Sequence, residues 1–221
     1  MRTRTGRRLA TTALFVAAVA GCGAVPNAAS GAGEVTSEQR TISDVTGIDL
    51  ATSGTVDVST GPPSLTVEAP ADLLPLLTSE VSGGTLVLSV EDRAVLRGAS
   101  RIHYTVTVPS LERIVISGAG TVRHPDIRGS SLTVDIEGSG DVVVGGSVDE
   151  QVVSVHGSGS YEAAGLATKI TEIRISGSGE ADVTVSDSLT VDVSGSGDVT
   201  YRGSPKVQQH ISGTGEVTQA R

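Results

Sequence analysis

A short glycine motif returns six times in the second half of this 221-residue chain, at nearly constant spacing. Each copy reads Gly-x-Gly, and the first glycines lie 20, 19, 20, 18 and 18 residues apart. A flexible Gly/Ser linker has no reason to keep such a period, whereas stacked structural repeats require one. The motif therefore predicts a repeat architecture in which each glycine pair forms a corner. The corner glycines are Gly118, Gly120, Gly138, Gly140, Gly157, Gly159, Gly177, Gly179, Gly195, Gly197, Gly213 and Gly215.

The residues beside each motif alternate between aliphatic and polar. Aliphatic residues stand two and, in five copies, four positions before the first glycine, and a mostly polar residue separates them. A period of two indicates a strand with one buried face. A second short strand is predicted two residues after each motif, at Val122, Val142, Tyr161, Ala181, Val199 and Val217. Each unit thus reads strand, glycine corner, strand and return turn.

One such unit is too small to bury its aliphatic side chains alone, so neighbouring units must stack. We therefore predict an all-β fold, a right-handed parallel β-helix or β-solenoid with coils of about 18–20 residues. With no Trp and a single Phe in the chain, the core must consist of Val, Ile, Leu and Ala. The alternative is an antiparallel sandwich of regular hairpins.

The domain is predicted to cover residues 41–221. Residues 111–221 hold the glycine repeats, and residues 41–110 are interpreted as irregular first coils and a cap of the same solenoid. Strand-like alternation in this earlier part is found in GIDLATSGTVDVST, SLTVEA, TLVLSV and IHYTVTV. Residues 71–81, which contain Pro75, predict a short helical or irregular excursion.

Residues 1–21 have the composition of an export signal. Four arginines precede an apolar run from Leu9 to Ala20, which is too short for a membrane-spanning helix. The run ends in VAGC, which resembles the bacterial lipobox, where the chain is cut before the cysteine and the thiol carries a diacylglycerol. Cys22 is the only cysteine, and a plain secretory signal is the alternative. Residues 22–40 are predicted to be the lipidated cysteine and a flexible tether.

The charge balance restricts the partners. Without residues 1–21, 12 Lys and Arg face 25 Asp and Glu, a net charge of −13. Nucleic acid and anionic head groups repel such a chain. Membrane association is therefore expected through the lipid anchor alone.

The motifs do not predict catalysis or a cofactor. The glycine pairs lack the Lys-Ser/Thr of a phosphate loop, and no helix follows them. No Gly-x-Ser-x-Gly nucleophile motif is present, and the motif serines Ser139, Ser158, Ser178 and Ser196 predict hydroxyl ladders along a corner. His103, His124, His156 and His210 lack metal-site spacing and are interpreted as solvated, His156 at a corner. We therefore predict no catalytic residues, no cofactor and no dedicated metal site.

Acidic residues follow four of the six motifs directly. Adjacent parallel strands lie about 4.8 Å apart, so these carboxylates would form a column of like charges. A hard cation such as calcium would relieve their repulsion, although a solvated edge is the more ordinary interpretation. The column comprises Asp141, Glu180, Asp198 and Glu216.

An ordered series of segments resembles a bacterial family, the putative auto-transporter adhesin, head GIN domain family. The matching segments are GIDLATSGTVDVSTG, ADLLPLLTSEVSGGTLVLSV, YTVTVPSLERIVISGAG and the SGSG corners that end in ISGTGEV. Together they run from about Arg40 to Thr218. The resemblance implies a β-helical cell-envelope protein, often a lipoprotein, and brings no catalytic residues with it.

Two functions from different classes remain. The first is a non-catalytic lipoprotein, outside the cytoplasm and lipid-anchored to the cell membrane, that presents a rigid solenoid for adhesion, protein contact or scaffolding. The alternative is a glycan-binding or glycan-cleaving β-helix, which an exposed cleft of carboxylates would favour. Possible partners are an envelope protein, a glycan, or a second copy paired at the C-terminal edge of the solenoid.

Overall fold

The computed structural model describes residues 28–29, 31, 33–91, 95–96 and 101–220, in which strands dominate and no α-helix occurs. A 3₁₀ turn covers Leu74–Leu76. The strands are β1 (Ala28–Ala29), β2 (Val35–Arg40), β3 (Gly47–Leu50), β4 (Thr55–Thr60), β5 (Ser64–Pro70), β6 (Leu77–Ser82), β7 (Thr85–Val90), β8 (Val95–Leu96), β9 (His103–Val108), β10 (Arg113–Ile116), β11 (Thr121–Gly138), β12 (Asp141–Gly157), β13 (Ser160–Gly177), β14 (Glu180–Gly195), β15 (Asp198–Arg202), β16 (Lys206–Gly213) and β17 (Val217–Gln219).

The glycine repeats form a β-solenoid, and the molecule has about five turns. β11 to β14 each run through a whole coil and pair in parallel with the next coil. Each coil presents three faces. Face A consists of the segments before a glycine corner (133–138, 152–157, 172–177 and 190–195), face B of those after it (121–124, 141–144, 160–163 and 180–183), and face C of the returns (127–132, 146–151, 166–171 and 184–189). The predicted solenoid is confirmed, and the antiparallel sandwich is wrong.

The core is the column of aliphatic side chains that the alternation predicted. On face A, the inward pairs from Ile114 and Ile116 to Val191 and Val193 are at most 2% exposed. Val122, Val142, Tyr161, Ala181 and Val199 of face B are equally well buried, at 3% or less. Parallel stacking keeps like residues in register, for example Ile136 against Val155 and Val155 against Ile175. Burial of this column is the main stabilising contribution of each added coil.

The first coil lies inside the stack and not at its end. β3 and β4 form a first coil that pairs on one side with β10 and β11 and on the other with β7 and β9. The strands β5, β6, β7 and β9 therefore lie beyond the first coil, and residues 109–112 return the chain past it to β10. Antiparallel pairs β5–β9, β2–β5 and β6–β7 cover this end. The region thus contains one coil and a cap.

The tether prediction is wrong for residues 35–40. Residues 35–40 form β2, which pairs along its whole length with β5. The Arg40 guanidinium also donates to the Leu77 carbonyl at 2.8 Å and to Ser79 Oγ at 3.2 Å. The side chains of β2 remain mostly exposed, so no hydrophobic alternation marks it in the sequence. The domain consequently begins before residue 41. The predicted signal segment and Cys22 lie outside the described residues.

Candidate binding surface

The two glycines of a corner are required for different steric reasons. Gly177 has φ +131°, and a Cβ there would lie 2.3 Å from the Gly157 carbonyl oxygen of the coil below. Gly179 has an ordinary φ, but a Cβ would lie 2.5 Å from Val155 Cγ1. A side chain at either position collides with the preceding coil, which is why the motif keeps both glycines. The same positive φ is found at Gly138, Gly157, Gly195 and Gly213.

A seventh corner lies in the first coil. Thr52 and Gly54 stand opposite Gly118 and Gly120, whose added Cβ atoms would lie 2.1 Å and 2.5 Å from the carbonyl oxygens of Thr52 and Gly54. The glycine motif does not reveal it, because threonine replaces the first glycine and because 66 residues separate it from the next corner. The signal was nevertheless present in GIDLATSGTV, where Leu50 has the spacing that Ile116 has in the second coil.

The corner serines form a ladder mainly through their backbone. The amides of Ser158, Ser178 and Ser196 donate to glycine carbonyls of the coil below, each at 2.8 Å. Hydroxyl contact is found between Ser196 Oγ and Thr214 Oγ1, 2.9 Å apart. The corners are therefore joined chiefly through the backbone, and among the described residues the predicted hydroxyl ladder is limited to this one contact.

The acidic residues after the motifs lie in one row along face B. Asp141 pairs in register with Ser160, Ser160 with Glu180, and Glu180 with Asp198. Ser160 Oγ donates to Asp141 Oδ1 at 2.7 Å, and the Glu216 amide donates to Asp198 Oδ1 at 2.9 Å. Ser160 thus separates the Asp141 carboxylate from the others in the row. The Asp198 carboxylate already accepts a hydrogen bond from a backbone amide. Within the described ranges no three His, Cys, Asp or Glu side chains are grouped to hold a metal ion.

An open trough of about 630 Å³ lies beside this row, along the bend between faces B and C. The bend varies in length from coil to coil. Residues 164–166 have no partners on β14, because the coil ending at Gly177 is two residues longer than the next. Small residues line the bend, so the surface there is recessed. The floor and walls comprise Val58, Pro125, Val143, Val144, Gly145, Ala164 and Gly165.

A charged row forms one rim of the trough. In register along face B stand Asp57, Arg123, Val143, Glu162 and Asp182. Asp57 lies 3.3 Å from His103 Nε2, and Asp182 accepts a hydrogen bond from Arg202. Glu162 and Arg123 are exposed, and neither has an ion pair among the residues described. The sequence motifs do not reveal this surface, because it depends on coil-length differences at the bend.

A buried polar cluster links three coils behind the bend. Tyr161 Oη donates to Gln151 Oε1 at 2.8 Å, and Gln151 Nε2 donates to Thr171 Oγ1 at 2.9 Å. Thr168 Oγ1 lies 2.8 Å from Thr171 Oγ1 and donates to the Thr184 carbonyl at 2.9 Å. Burial raises the pKa of Tyr161 well above its ordinary range. The cluster is neutral and satisfied, so it is structural.

The histidines divide into two groups. His156 is exposed at its corner and His210 is exposed on β16, as expected for solvated side chains. His124, in contrast, is 2% exposed, so the solvated interpretation is wrong for it. Burial lowers the pKa of His124, while the nearby Asp126 carboxylate acts in the opposite direction. His124 Nδ1 accepts a hydrogen bond from the Asp126 amide at 3.4 Å, an arrangement that suits the neutral ring.

Comparison with known proteins supports the same architecture. A putative adhesin from Bacteroides fragilis is 21% identical with a TM-score of 0.71, over 86% of this chain and 99% of that one. A putative adhesin from Parabacteroides merdae is 18% identical (TM-score 0.53; 88% and 99% covered). A putative lipid binding protein from Parabacteroides distasonis is 22% identical (TM-score 0.50; 88% and 100% covered). At these identities the likeness shows the fold alone.

No curated protein matches the chain. No helix in the described part is long and apolar enough to cross a membrane. The family model described as "Putative auto-transporter adhesin, head GIN domain" matches residues 44–205, from just before the first coil to the turn before β16. This match covers most of the chain and includes all the corners up to Gly197. The chain therefore belongs to the putative auto-transporter adhesin, head GIN domain family.

Proposed function

We propose that this protein is a non-catalytic binding module of the cell envelope, anchored to the membrane by lipid at Cys22. The observation that carries the binding role is the trough along the bend between faces B and C, which crosses five coils of a rigid stack. Membership of an adhesin family supports a place outside the cytoplasm and contact with a partner. The family and the solved relatives are described as adhesins or binding proteins.

The anchor depends on the sequence VAGC and on the single thiol of the chain. In a bacterium fed radiolabelled palmitate, we expect the wild-type protein to be labelled and to sediment with membranes. Cys22→Ser should abolish both properties. The double variant Cys22→Ser/Ser30→Cys keeps one thiol but moves it out of the lipobox, and it should also remain unlabelled. Labelling of either variant, or a soluble wild-type protein, would contradict the anchor.

The binding role is tested with the mature chain carrying Cys22→Ser, immobilised and exposed to solubilised envelope. We expect the folded protein to retain specific proteins that a heat-denatured sample of the same protein does not retain. Equal retention by folded and denatured samples would sink the binding role, whatever the result for the anchor.

Glycan binding is less well supported. Open sites for sugar rings usually offer an exposed aromatic side chain. Tyr104 and Tyr161 are buried at 0% and 1% exposure, and Tyr201 is half-buried. Among the described residues no fully exposed aromatic side chain is therefore available. The carboxylates of face B instead favour a partner with positive charge.

A further inference from the structure

We propose that the trough along the bend between faces B and C binds an extended peptide segment of a partner protein in which aliphatic residues are interspersed with lysine or arginine. This inference deepens the proposed function, because it names the chemistry of the partner. It rests on the length of the trough, its apolar surface and the sign of the charges beside it.

The length fits a short extended peptide. The trough reaches from Asp57 in the first coil to Asp182 in the fifth, and the five residues of its rim are neighbours in register. Four strand spacings of about 4.8 Å give a length of roughly 19 Å. An extended chain rises about 3.3 Å per residue, so about six residues fit. The peptide would run along the solenoid axis, across the strands.

The surface chemistry of the trough favours aliphatic side chains at the centre of the bound peptide. Val143 is half-buried and faces outward between Arg123 and Glu162 in the rim. Ala164 and Gly165 across the bend leave room above the backbone: a Cβ built on Gly165 would have no atom closer than 3.7 Å. An aliphatic side chain placed here would cover Val143 and remove apolar surface from water.

The charges on the rim of the trough favour a basic partner. Three carboxylates, of Asp57, Glu162 and Asp182, stand on the rim beside a single arginine, Arg123. Glu180 and Asp198 continue the negative charge in the adjoining groove of face B. Arg202 already pairs with Asp182, whereas Glu162 is exposed and has no ion pair among the described residues. A lysine or arginine that follows the central aliphatic residue would meet Glu162, and an acidic peptide would be repelled.

The test uses the mature chain with Cys22→Ser and three acetylated hexapeptide amides, KVLKVL, EVLEVL and KSGKSG. Binding is followed by backbone amide NMR, which also locates the contact. We expect KVLKVL to bind more tightly than the other two by tenfold or more, and to shift amides of residues 143–145 and 162–165. Equal affinity for EVLEVL, or shifts confined to other faces, would overturn the proposal.

Two glycine variants provide a matched pair. Gly165→Leu fills the trough without a backbone clash, and it should weaken KVLKVL binding at least tenfold. Gly129→Leu adds the same side chain on face C, where a Cβ also has no atom closer than 3.9 Å, and it should bind as the wild type does. Ala164→Leu, at an exposed position of the same bend, gives a second filled trough if Gly165→Leu is unstable. Wild-type affinity in a folded filled-trough variant would overturn the proposal.

Charge is tested in the same way. Glu162→Gln should weaken KVLKVL binding about threefold to tenfold in low salt, and the difference should shrink in high salt. Glu150→Gln removes an exposed carboxylate from face C and should change little. Light scattering during the titration must show that KVLKVL leaves the oligomeric state unchanged, since binding through induced self-association would overturn this site assignment. If the envelope capture succeeds equally with Gly165→Leu, the binding role stands and the trough assignment falls.

Discussion

The corner glycines leave no space for a side chain. At Gly177 a Cβ meets both an unfavourable φ and the Gly157 carbonyl oxygen at 2.3 Å. We expect Gly177→Ala to destabilise the domain by about 3 kcal/mol or more, which lowers the melting temperature by roughly 6–12 °C for a domain of this size. Thermal unfolding followed by circular dichroism measures the change.

Gly129→Ala is the control at the residue scale. Gly129 lies in the same kind of strand but has an ordinary φ and an open environment. Its replacement should be neutral or slightly stabilising, by up to about 1 kcal/mol, because alanine restricts the unfolded chain. If both variants have the melting temperature of the wild type, the corner geometry is wrong.

At the scale of the element, neighbouring coils are joined by polar as well as aliphatic contacts. The hydroxyl of Tyr161 donates to Gln151 of the coil below, whereas the buried hydroxyl of Tyr104 in β9 has no hydrogen-bond partner among the described residues. Burial raises the pKa of Tyr104 to about 12, although the charge of Arg40 acts in the opposite direction. An unsatisfied buried hydroxyl is a cost to stability, and a satisfied one is a gain.

The same substitution should therefore have opposite effects at the two tyrosines. Tyr104→Phe should leave stability unchanged or raise it by about 1 kcal/mol, because it removes an orphan polar atom. Tyr161→Phe should lower it by about 1–2 kcal/mol, because Gln151 Oε1 loses its donor. Urea unfolding of both variants beside the wild type gives the comparison. A loss at Tyr104 as large as that at Tyr161 would show that Tyr104 has a partner in solution.

How far the sequence predicts an element depends on whether its side chains alternate in burial. The strands of faces A and B were predictable because every second residue enters the core, as from Ile173 to Ile175. β2 was missed because it is held by backbone pairing and by Arg40, and such contacts leave no hydrophobic pattern. The trough was missed because residues 164–166 acquire their role only when coils of unequal length are stacked.

On the scale of the whole molecule, the two ends of the solenoid differ. Antiparallel strands cover the first coil, but β16 and β17 pair on one side only among the described residues. Their aliphatic side chains Val207, Ile211 and Val217 are half-buried. Val193 and Val199, the partners of Ile211 and Val217 in the previous coil, are at most 2% exposed. An edge of this kind is a template for another strand, and a second copy supplies the same edge by two-fold symmetry.

We therefore expect the mature chain with Cys22→Ser to dimerise with increasing concentration, as measured by light scattering after gel filtration. Val207→Lys should shift it to the monomer, because a charge at the end of the core opposes burial. Val35→Lys, at a position 44% exposed on β2, is the control and should not affect assembly. A wild-type monomer at the highest attainable concentration would speak against this contact.

The position of the first coil also sets an order of assembly. Residues 35–108 contain the cap and every partner of β3 and β4 except β10 and β11. The part of a nascent chain that is synthesised first can therefore pair with itself and leave one edge of the first coil free. Each later coil then adds to an edge that already exists, so loop closure remains short from Thr121 onward. A whole coil could accordingly be inserted or deleted among the repeats without disturbing the segment that templates them.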